Sequence, residues 1–248
     1  IFGILGLLYA FVVWKSIFET PKEHPRIQES EYALLAQNIT VKENVVIPWR
    51  QILSLPAMWA LFITFFCTSW TLYVFLSWMP SYFATVHGLN VSGAGVYTMG
   101  PWITMFVMMN VAGWIADSLI NKGWDISTVR KLMQSIGLLG SATFLLITRT
   151  VTTPEAAVLT LCGALGLLAF AYSGAAPNVL DISPRFGGVL FGIMNTLGTL
   201  PGIVGVALTG WLVDATQSYD SVLLLAAVIS VFGAVVFALF GSSKRMID

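Results

Sequence analysis

Residues 57–79 read AMWALFITFFCTSWTLYVFLSWM, and none of these side chains is charged. They belong to a longer run, from Gln51 to Ala116, that contains no Asp, Glu, Lys or Arg. A helix needs roughly 20 predominantly apolar residues to cross a hydrocarbon core about 30 Å thick. Backbone polar groups in lipid must be satisfied within their own segment, so this run predicts membrane-spanning helices.

Four further charge-free runs follow, at 132–148, 156–180, 186–213 and 221–243. Only 10% of the 248 residues are charged and 57% are hydrophobic, whereas a soluble domain carries about 25% charged residues. We therefore predict an all-α polytopic membrane protein. Its six spans are predicted at 57–79, 93–116, 132–148, 156–178, 187–213 and 221–241.

The chain also divides by composition. Residues 1–14 form an apolar run too short to span a bilayer, and we interpret them as the end of a truncated transmembrane helix. Residues 15–50 are polar and predict a cytoplasmic connector, with a short helix near 29–37. Residues 51–243 form the predicted six-helix bundle, and residues 244–248 form a cytoplasmic tail.

Basic residues indicate the orientation. If side one is the side that holds the connector, alternation of six spans puts 11 of the 12 basic residues there and leaves Arg149 on side two. Such a bias predicts that side one is cytoplasmic, or the equivalent face of an organelle. The side-one residues are Lys15, Lys22, Arg26, Lys42, Arg50, Lys122, Arg130, Lys131, Arg185, Lys244 and Arg245.

The chain contains no recognisable catalytic or metal-binding motif. There is no His-Glu-x-x-His, Gly-x-Ser-x-Gly, phosphate-binding glycine loop or Cys-x-x-Cys. We therefore predict no enzymatic activity, no catalytic residues, no metal and no cofactor, and we expect no nucleic-acid partner. No predicted span centre holds an ionisable residue, which places ion coupling and any fixed cation outside this chain.

Neutral polar residues inside the spans are the candidates for a substrate path. A low-dielectric path for an anion needs hydrogen-bond donors where it lacks a fixed cation. The alternative is that these groups only bond neighbouring helices. The predicted path residues are Thr68, Trp70, Tyr73, Asn178 and Asn195.

Charges at the side-one helix ends are candidates for a gate. Charge clusters of this kind can lock helix ends in one state and release them in another. We predict that Asp117 pairs with Arg130 or Lys131, or caps the helix that begins near them, and that Asp181 and Arg185 belong to the same group. The alternative is ordinary interfacial charge.

Small residues and turn signals mark the fifth span. Gly188 and Gly192 are four residues apart, as are Gly198 and Gly202, a spacing that lets helices approach closely. A glycine-rich helix of this kind could instead bend during a conformational cycle. Before the span, Ser183 followed by Pro184 predicts a helix start, with the serine as N-cap.

An internal echo suggests a repeat. Gly-Trp-Ile-Ala-Asp at 113–117 closes the second span, and Gly-Trp-Leu-Val-Asp at 210–214 closes the fifth. If spans one to three and four to six are inverted repeats, these positions are equivalent on opposite faces. Two such triplets form one half of a major-facilitator fold.

From about residue 23 to the end, the chain resembles the C-terminal half of a major-facilitator transporter of the anion:cation symporter family. That family includes sialin, the vesicular glutamate transporters and plant plastid phosphate transporters. Residues 113–117 resemble the loop motif of the superfamily, although the run of basic residues that follows this motif in the superfamily is only partly present here. Segments that carry the family resemblance are Glu23–Arg26, Ile47–Arg50, Pro80–Phe83, Thr128–Lys131 and Asn178–Gly202, which includes Asp181–Arg185, Asn195-Thr196 and Gly198-Thr199.

The resemblance implies secondary active transport of a small anion by alternating access, coupled to protons or sodium. Thr68 stands where the vesicular glutamate transporters have an arginine, and the run from Arg130 to Gly137 looks more like the plastid phosphate branch. Inorganic phosphate or an organic anion is therefore the expected substrate. The alternative is a half-transporter that serves as a structural subunit of a larger assembly.

The expected partners are the substrate anion, the lipid bilayer and either a missing N-terminal six-helix half or a partner chain. The resemblance leaves the membrane open among the plastid envelope, a vesicle or lysosome, and the plasma membrane.

The charge bias generates a topology prediction. Cysteines introduced at Ser30 and Ser243 should react with a membrane-impermeant maleimide from the same side of sealed vesicles, because both are predicted on side one. Labelling from opposite sides would contradict the six-span arrangement.

Overall fold

The computed structural model describes residues 2–18, 25, 27–38 and 47–247. The chain divides into two compact units, Ile1–Ile47 and Pro48–Asp248. The first contains α1 (Phe2–Ser16) and α2 (Glu29–Asn38), so the short helix predicted near 29–37 is confirmed. The basic residues Lys22, Arg26 and Lys42 and most of the segment 23–26 lie outside the described residues.

The second unit is a bundle of long helices. A six-residue helix leads into six helices that are long and apolar enough to cross a membrane, and the described residues include no strand. The predicted all-α membrane bundle is confirmed. The helices are α3 (Trp49–Ser54), α4 (Pro56–Val86), α5 (Val91–Asn121), α6 (Ile126–Thr148), α7 (Pro154–Ile182), α8 (Gly187–Thr216) and α9 (Asp220–Phe240).

Four prolines lie inside the long helices without ending them. The predicted span 57–79 stops before Pro80, yet α4 continues through this proline to Val86. Pro101, Pro177 and Pro201 also lie inside helices. Transmembrane helices tolerate proline because neighbouring helices and local adjustments satisfy the freed carbonyl groups.

The helix start predicted at Ser183 is wrong. Ser183 is the C-cap of α7, and its backbone N–H donates to the carbonyl of Val179. Pro184 has no N–H to continue this pattern, so α7 ends here and three turn residues precede α8. The serine therefore closes one helix instead of opening the next.

The contacts between helices fit alternating directions. We keep the name side one for the end of the bundle with residues 122–125 and 183–186, and side two for the opposite end. The antiparallel pair α6 and α9 meets at both ends, through Lys131 with Ala238 on side one and Arg149 with Asp220 on side two. Helices α4 and α8 run parallel, since Phe65 faces Gly198 and Trp78 donates to the carbonyl of Val206.

The helix contacts also have an internal symmetry. Each helix pair among α4–α9 that makes several contacts has a counterpart when α4, α5 and α6 are exchanged for α7, α8 and α9. Thus α4 against α8 matches α7 against α5, and α6 against α7 matches α9 against α4. This pattern supports the inverted repeat suggested by the two Gly-Trp segments.

The tightest approach joins α6 and α7. A Cβ atom on Gly137 would collide with the backbone nitrogen of Ala171, and one on Gly174 would lie 2.9 Å from the carbonyl oxygen of Arg130. Small residues at such crossings permit the van der Waals packing that holds helices together in lipid. These two helices therefore approach each other with their backbones in direct contact.

Gly137→Ala should destabilise the bundle by at least about 2 kcal/mol, because the added methyl group meets backbone atoms that cannot rotate away. Gly95→Ala is the matched control, since a Cβ atom there meets nothing within 4 Å. Thermal unfolding in detergent measures both variants. Equal melting temperatures would contradict the close crossing of α6 and α7.

Candidate functional site

A buried polar network links three helices in the middle of the bundle. The Nε2 atom of Gln134 on α6 donates to the hydroxyl groups of Thr64 and Thr68 on α4, at 3.0 and 3.1 Å. The Thr64 hydroxyl donates to the carbonyl of Gly233 on α9 at 3.1 Å. The Thr68 hydroxyl donates to the backbone carbonyl of Thr64, one turn earlier in α4. All three side chains are almost fully buried, so this network holds helices together.

Thr68 therefore does not face an open surface in this structure. It was predicted in the substrate path, but it is 1% exposed and accepts a hydrogen bond from Gln134 inside the bundle. Thr64, Thr68 and Thr71 are four and three residues apart, so they share the face of α4 that packs against α6 and α9. The side chain of an arginine at position 68 would therefore lie in the contact between α4, α6 and α9.

Two aromatic path candidates pack against α8. Tyr73 is partly buried beside Gly202, and Trp70 is 5% exposed beside Gly205. Both lie where the parallel helices α4 and α8 meet. These side chains fix the position of α8, and only Tyr73 retains open surface.

Asn178 lies at the side-one end of α7 and is fully buried. Its Nδ2 atom donates to the carbonyl of Ser242, in the segment that follows α9. Backbone N–H groups of Met246 and Ile247 in the same segment donate to the last carbonyl of α7, that of Ile182. Asn178 therefore anchors residues 241–247 against α7.

Asn195 differs from the other path candidates because it is exposed. It lies eight residues into α8, about 12 Å from the side-one end at 1.5 Å per residue, which is within membrane depth. Among the described residues, its side-chain amide makes no hydrogen bond. A bare amide facing lipid is unfavourable, so this position indicates that α8 faces something other than lipid here.

Helix α8 has three distinct faces. At about 100° per residue, the buried residues Met194, Gly198, Pro201 and Gly205 point to α4. A second face, which we call the polar face of α8, is exposed and consists of Gly188, Gly192, Asn195 and Thr199.

The third face of α8, about 140° from the polar face, carries Leu197, Leu200, Val204 and Trp211. Apolar residues of this kind suit contact with lipid chains. The polar face and the lipid-facing side are therefore separate on the same helix.

The four predicted packing glycines split between two of these faces. Gly198 and Gly202 contact Phe65 and Tyr73 of α4, as close helix packing requires. A Cβ atom on Gly188 or Gly192 meets nothing within 4 Å. These two glycines lie on the polar face and have open space in front of them.

An ion pair joins the side-one ends of α6 and α7. The Nε atom of Arg130 lies 2.8 Å from Oδ2 of Asp181, and its Nη1 atom donates to the carbonyl of Ser173 at 3.1 Å. The two side chains are 10% and 19% exposed. This pair lies within the tightest helix contact, so it stabilises the bundle from inside.

The pairing predicted for Asp117 is therefore wrong in this structure. Arg130 pairs with Asp181, Lys131 donates to the carbonyl of Ala238, and Asp125 caps α6 by accepting from the N–H of Thr128. Asp117 is exposed near the side-one end of α5.

Arg185 is exposed in the turn between α7 and α8, where its guanidinium group lies 6.0 Å from the ring of Phe186. Arg185 and Asp117 are the two predicted gate residues that are exposed on side one. Arg130 and Asp181 pair with each other, and Lys131 donates to the carbonyl of Ala238.

Side two is held by its own contacts. Arg149 and Asp220 form a bidentate pair, and the hydroxyl of Tyr97 donates to Glu155 at 3.0 Å. His87, at the end of α4, lies 3.4 Å from the hydroxyl of Tyr82. Burial lowers the pKa of His87, and the negative charge of Glu155 partly offsets this effect.

No group of three potential ligands drawn from His, Cys, Asp and Glu comes together in the part of the chain that the structure describes.

Sequence reasoning missed Gln134 and Thr64, which form the centre of the buried network. The signal was present, because Gln134 is the only amide in the charge-free run 132–148. The spacing of Thr64, Thr68 and Thr71 also indicated one helical face. These patterns could not show that the amide of Gln134 on α6 bonds the threonine hydroxyl groups of α4.

Comparison with known proteins identifies the family. Residues 1–205 match the profile of the Major Facilitator Superfamily. The chain is 41% identical to a chloroplastic ascorbate transporter and 39% identical to a chloroplastic sodium-dependent phosphate transport protein, both from Arabidopsis thaliana. It is 33% identical to a voltage-gated purine nucleotide uniporter of Mus musculus.

These alignments cover 98–100% of this chain but only 46%, 48% and 53% of the three relatives. The chain thus spans about half the length of the curated relatives it matches. Their names describe carriers of anions, in agreement with the resemblance to the anion:cation symporters. The family match and the six-helix bundle with its paired triplets together establish that the chain belongs to the Major Facilitator Superfamily.

Proposed function

We propose that this chain is one half of a secondary active transporter that moves a small anion, inorganic phosphate or an organic anion, by alternating access. The observation that carries the proposal is the polar face of α8. Asn195 and Thr199 are exposed at membrane depth there, beside two glycines with open space before them. A substrate path and a second helical bundle are the surroundings that such a face fits.

The relatives support the same class of substrate. Their names refer to ascorbate, phosphate and purine nucleotides, which differ in size but share negative charge. The polar face of α8 offers uncharged groups, which can orient an anion without holding it by charge. Uncharged donors of this kind can bind several anions without selectivity among them.

The fixed positive charge and the coupling site then belong to another half. Among the described residues, the central turns of α4–α9 hold no Asp, Glu, Lys, Arg or His. An anion in a low-dielectric path needs a cation or a dense set of donors. We propose that a second six-helix half supplies this cation and the proton or sodium site.

We further propose that Asp117 acts at the moving interface between the two halves. Arg130 and Asp181 belong to one bundle and pair where α6 and α7 pack closely, so they are poorly placed to separate during transport. Asp117 is exposed on α5, on the same face as Asn110 seven residues earlier. A charge there can meet a partner on the other half in one state and lose it in the next.

Asn195→Ala should raise the apparent KM of the full-length protein for its anion by roughly tenfold at most. Loss of one uncharged hydrogen bond costs about 1–1.5 kcal/mol. Uptake of phosphate, ascorbate and glutamate into proteoliposomes measures the effect and identifies the substrate.

Thr199→Val and Thr143→Val provide a matched pair for this test. Both threonines are exposed and bond a carbonyl of their own helix at 2.8 Å, but Thr143 lies on α6. We expect only Thr199→Val to raise KM. Equal effects would remove the polar face of α8 from the path, and no uptake of any anion by the unmodified protein would favour a structural subunit.

Asp181→Asn should lower the stability of the bundle, whereas Asp117→Asn should lower the turnover rate. Asp181→Asn leaves a mostly buried Arg130 uncompensated and should lower stability by about 3 kcal/mol. Asp117→Asn should leave the melting temperature unchanged and lower the turnover rate more than it raises KM. Thermal unfolding and initial uptake rates separate the two, and normal turnover in Asp117→Asn would end its assignment to the gate.

A further inference from the structure

An apolar groove of about 450 Å³ opens between α4, α8 and α9. All of its lining side chains are apolar, including Trp59, Phe62 and Phe66 from α4, Leu197 from α8, and Ile229 and Phe232 from α9. Its volume lies within the range of about 300–1,000 Å³ found for ligand sites. Nothing in the proposed transport path uses it.

The depth of the groove matches one leaflet of a membrane. Trp59 lies three residues from the start of α4 and Cys67 lies eleven, about 5 and 17 Å from the side-one end at 1.5 Å per residue. Phe232 lies eight residues from the end of α9, about 12 Å from the same side. Since half of the hydrocarbon core is about 15 Å thick, these depths correspond to the side-one leaflet as far as the bilayer midplane.

The groove opens to lipid and not to the substrate path. Leu197 belongs to the apolar face of α8, about 140° from the polar face that carries Asn195. The exposed residues of α9 near the groove, Val228, Val231 and Val235, are also apolar. The occupant must therefore be apolar along its length and must come from the bilayer.

A cation lies on the short helix α3, which leads into the groove-lining helix α4. The indole N–H of Trp59 donates to the carbonyl of Leu53 at 2.9 Å, which joins the groove to the short helix α3. Arg50 is exposed one turn earlier in α3 and makes no ion pair among the described residues. Trp49 and Leu53 of the same helix are 47% and 50% exposed, as expected for a helix at a membrane interface.

We propose that this groove is a binding site for an anionic phospholipid of the side-one leaflet. One acyl chain lies along α4 between α8 and α9, and the phosphate group lies beside Arg50. A basic side chain at this interface favours an anionic headgroup over a zwitterionic one. The lipid would hold α3, α4, α8 and α9 together at their side-one ends.

The first test compares lipids on the purified full-length protein. Native mass spectrometry should show phosphatidylglycerol retained in preference to phosphatidylcholine. Arg50→Gln should reduce the affinity for phosphatidylglycerol about fivefold and that for phosphatidylcholine by less, because the choline cation offsets the charge of its phosphate. Lys122→Gln, which removes another exposed cation on side one, should have no effect. An equal loss in both variants would overturn the headgroup assignment.

The second test concerns the acyl chain. Leu197→Trp should fill the groove and abolish lipid retention, while Leu200→Trp, on the same face of α8 but outside the groove, should preserve it. Phosphatidylglycerol with a diazirine in its acyl chain tests the unmodified protein directly. Its label should fall on Trp59–Cys67 and Ile229–Phe232, and a label spread evenly over all exposed apolar helix faces would overturn the proposal.

Discussion

The absence of hydrogen-bonding solvent inside the bilayer is the constraint on which this structure depends. Each backbone polar group at membrane depth must find its partner within the protein, and helices alone achieve this within one segment. The same constraint explains the buried network in which Nε2 of Gln134 donates to the hydroxyl groups of Thr64 and Thr68 across α4 and α6. It also explains why long helices continue through Pro80 and Pro101, where a soluble helix would end.

Charge is distributed by the same rule. The two ion pairs recorded between described residues lie at helix ends, Arg130 with Asp181 on side one and Arg149 with Asp220 on side two. Each joins helices that already pack extensively, so the pairs reinforce the bundle at its two ends. What remains exposed at membrane depth is neutral, and on α8 it is separated by face into a polar side and a lipid side. A single helix can therefore serve a substrate path and the bilayer together.

The sequence predicted the architecture well because the relevant signal is local. Runs without charge, such as 51–116, indicate spans from their length alone, and the two Gly-Trp segments pointed to a repeat that the helix contacts support. Site residues were harder to predict. Thr68, Asn178 and Asn195 are all neutral polar residues within spans, yet two are buried in helix contacts and one is exposed. Asp117 is near Arg130 in the sequence, but the residue that pairs with Arg130 is Asp181, 51 positions away.

The sequence by itself determined the membrane class, the number of the spans and the family, because these follow from the order and length of the apolar segments and from the residues that carry the resemblance. Only the tertiary structure decided which polar side chains hold helices together and which remain open. Hydropathy assigns the same value to a threonine wherever it lies on a helix, whereas burial depends on which neighbouring helix covers that face. The three faces of α8 exist because α4 covers one of them and leaves the other two exposed.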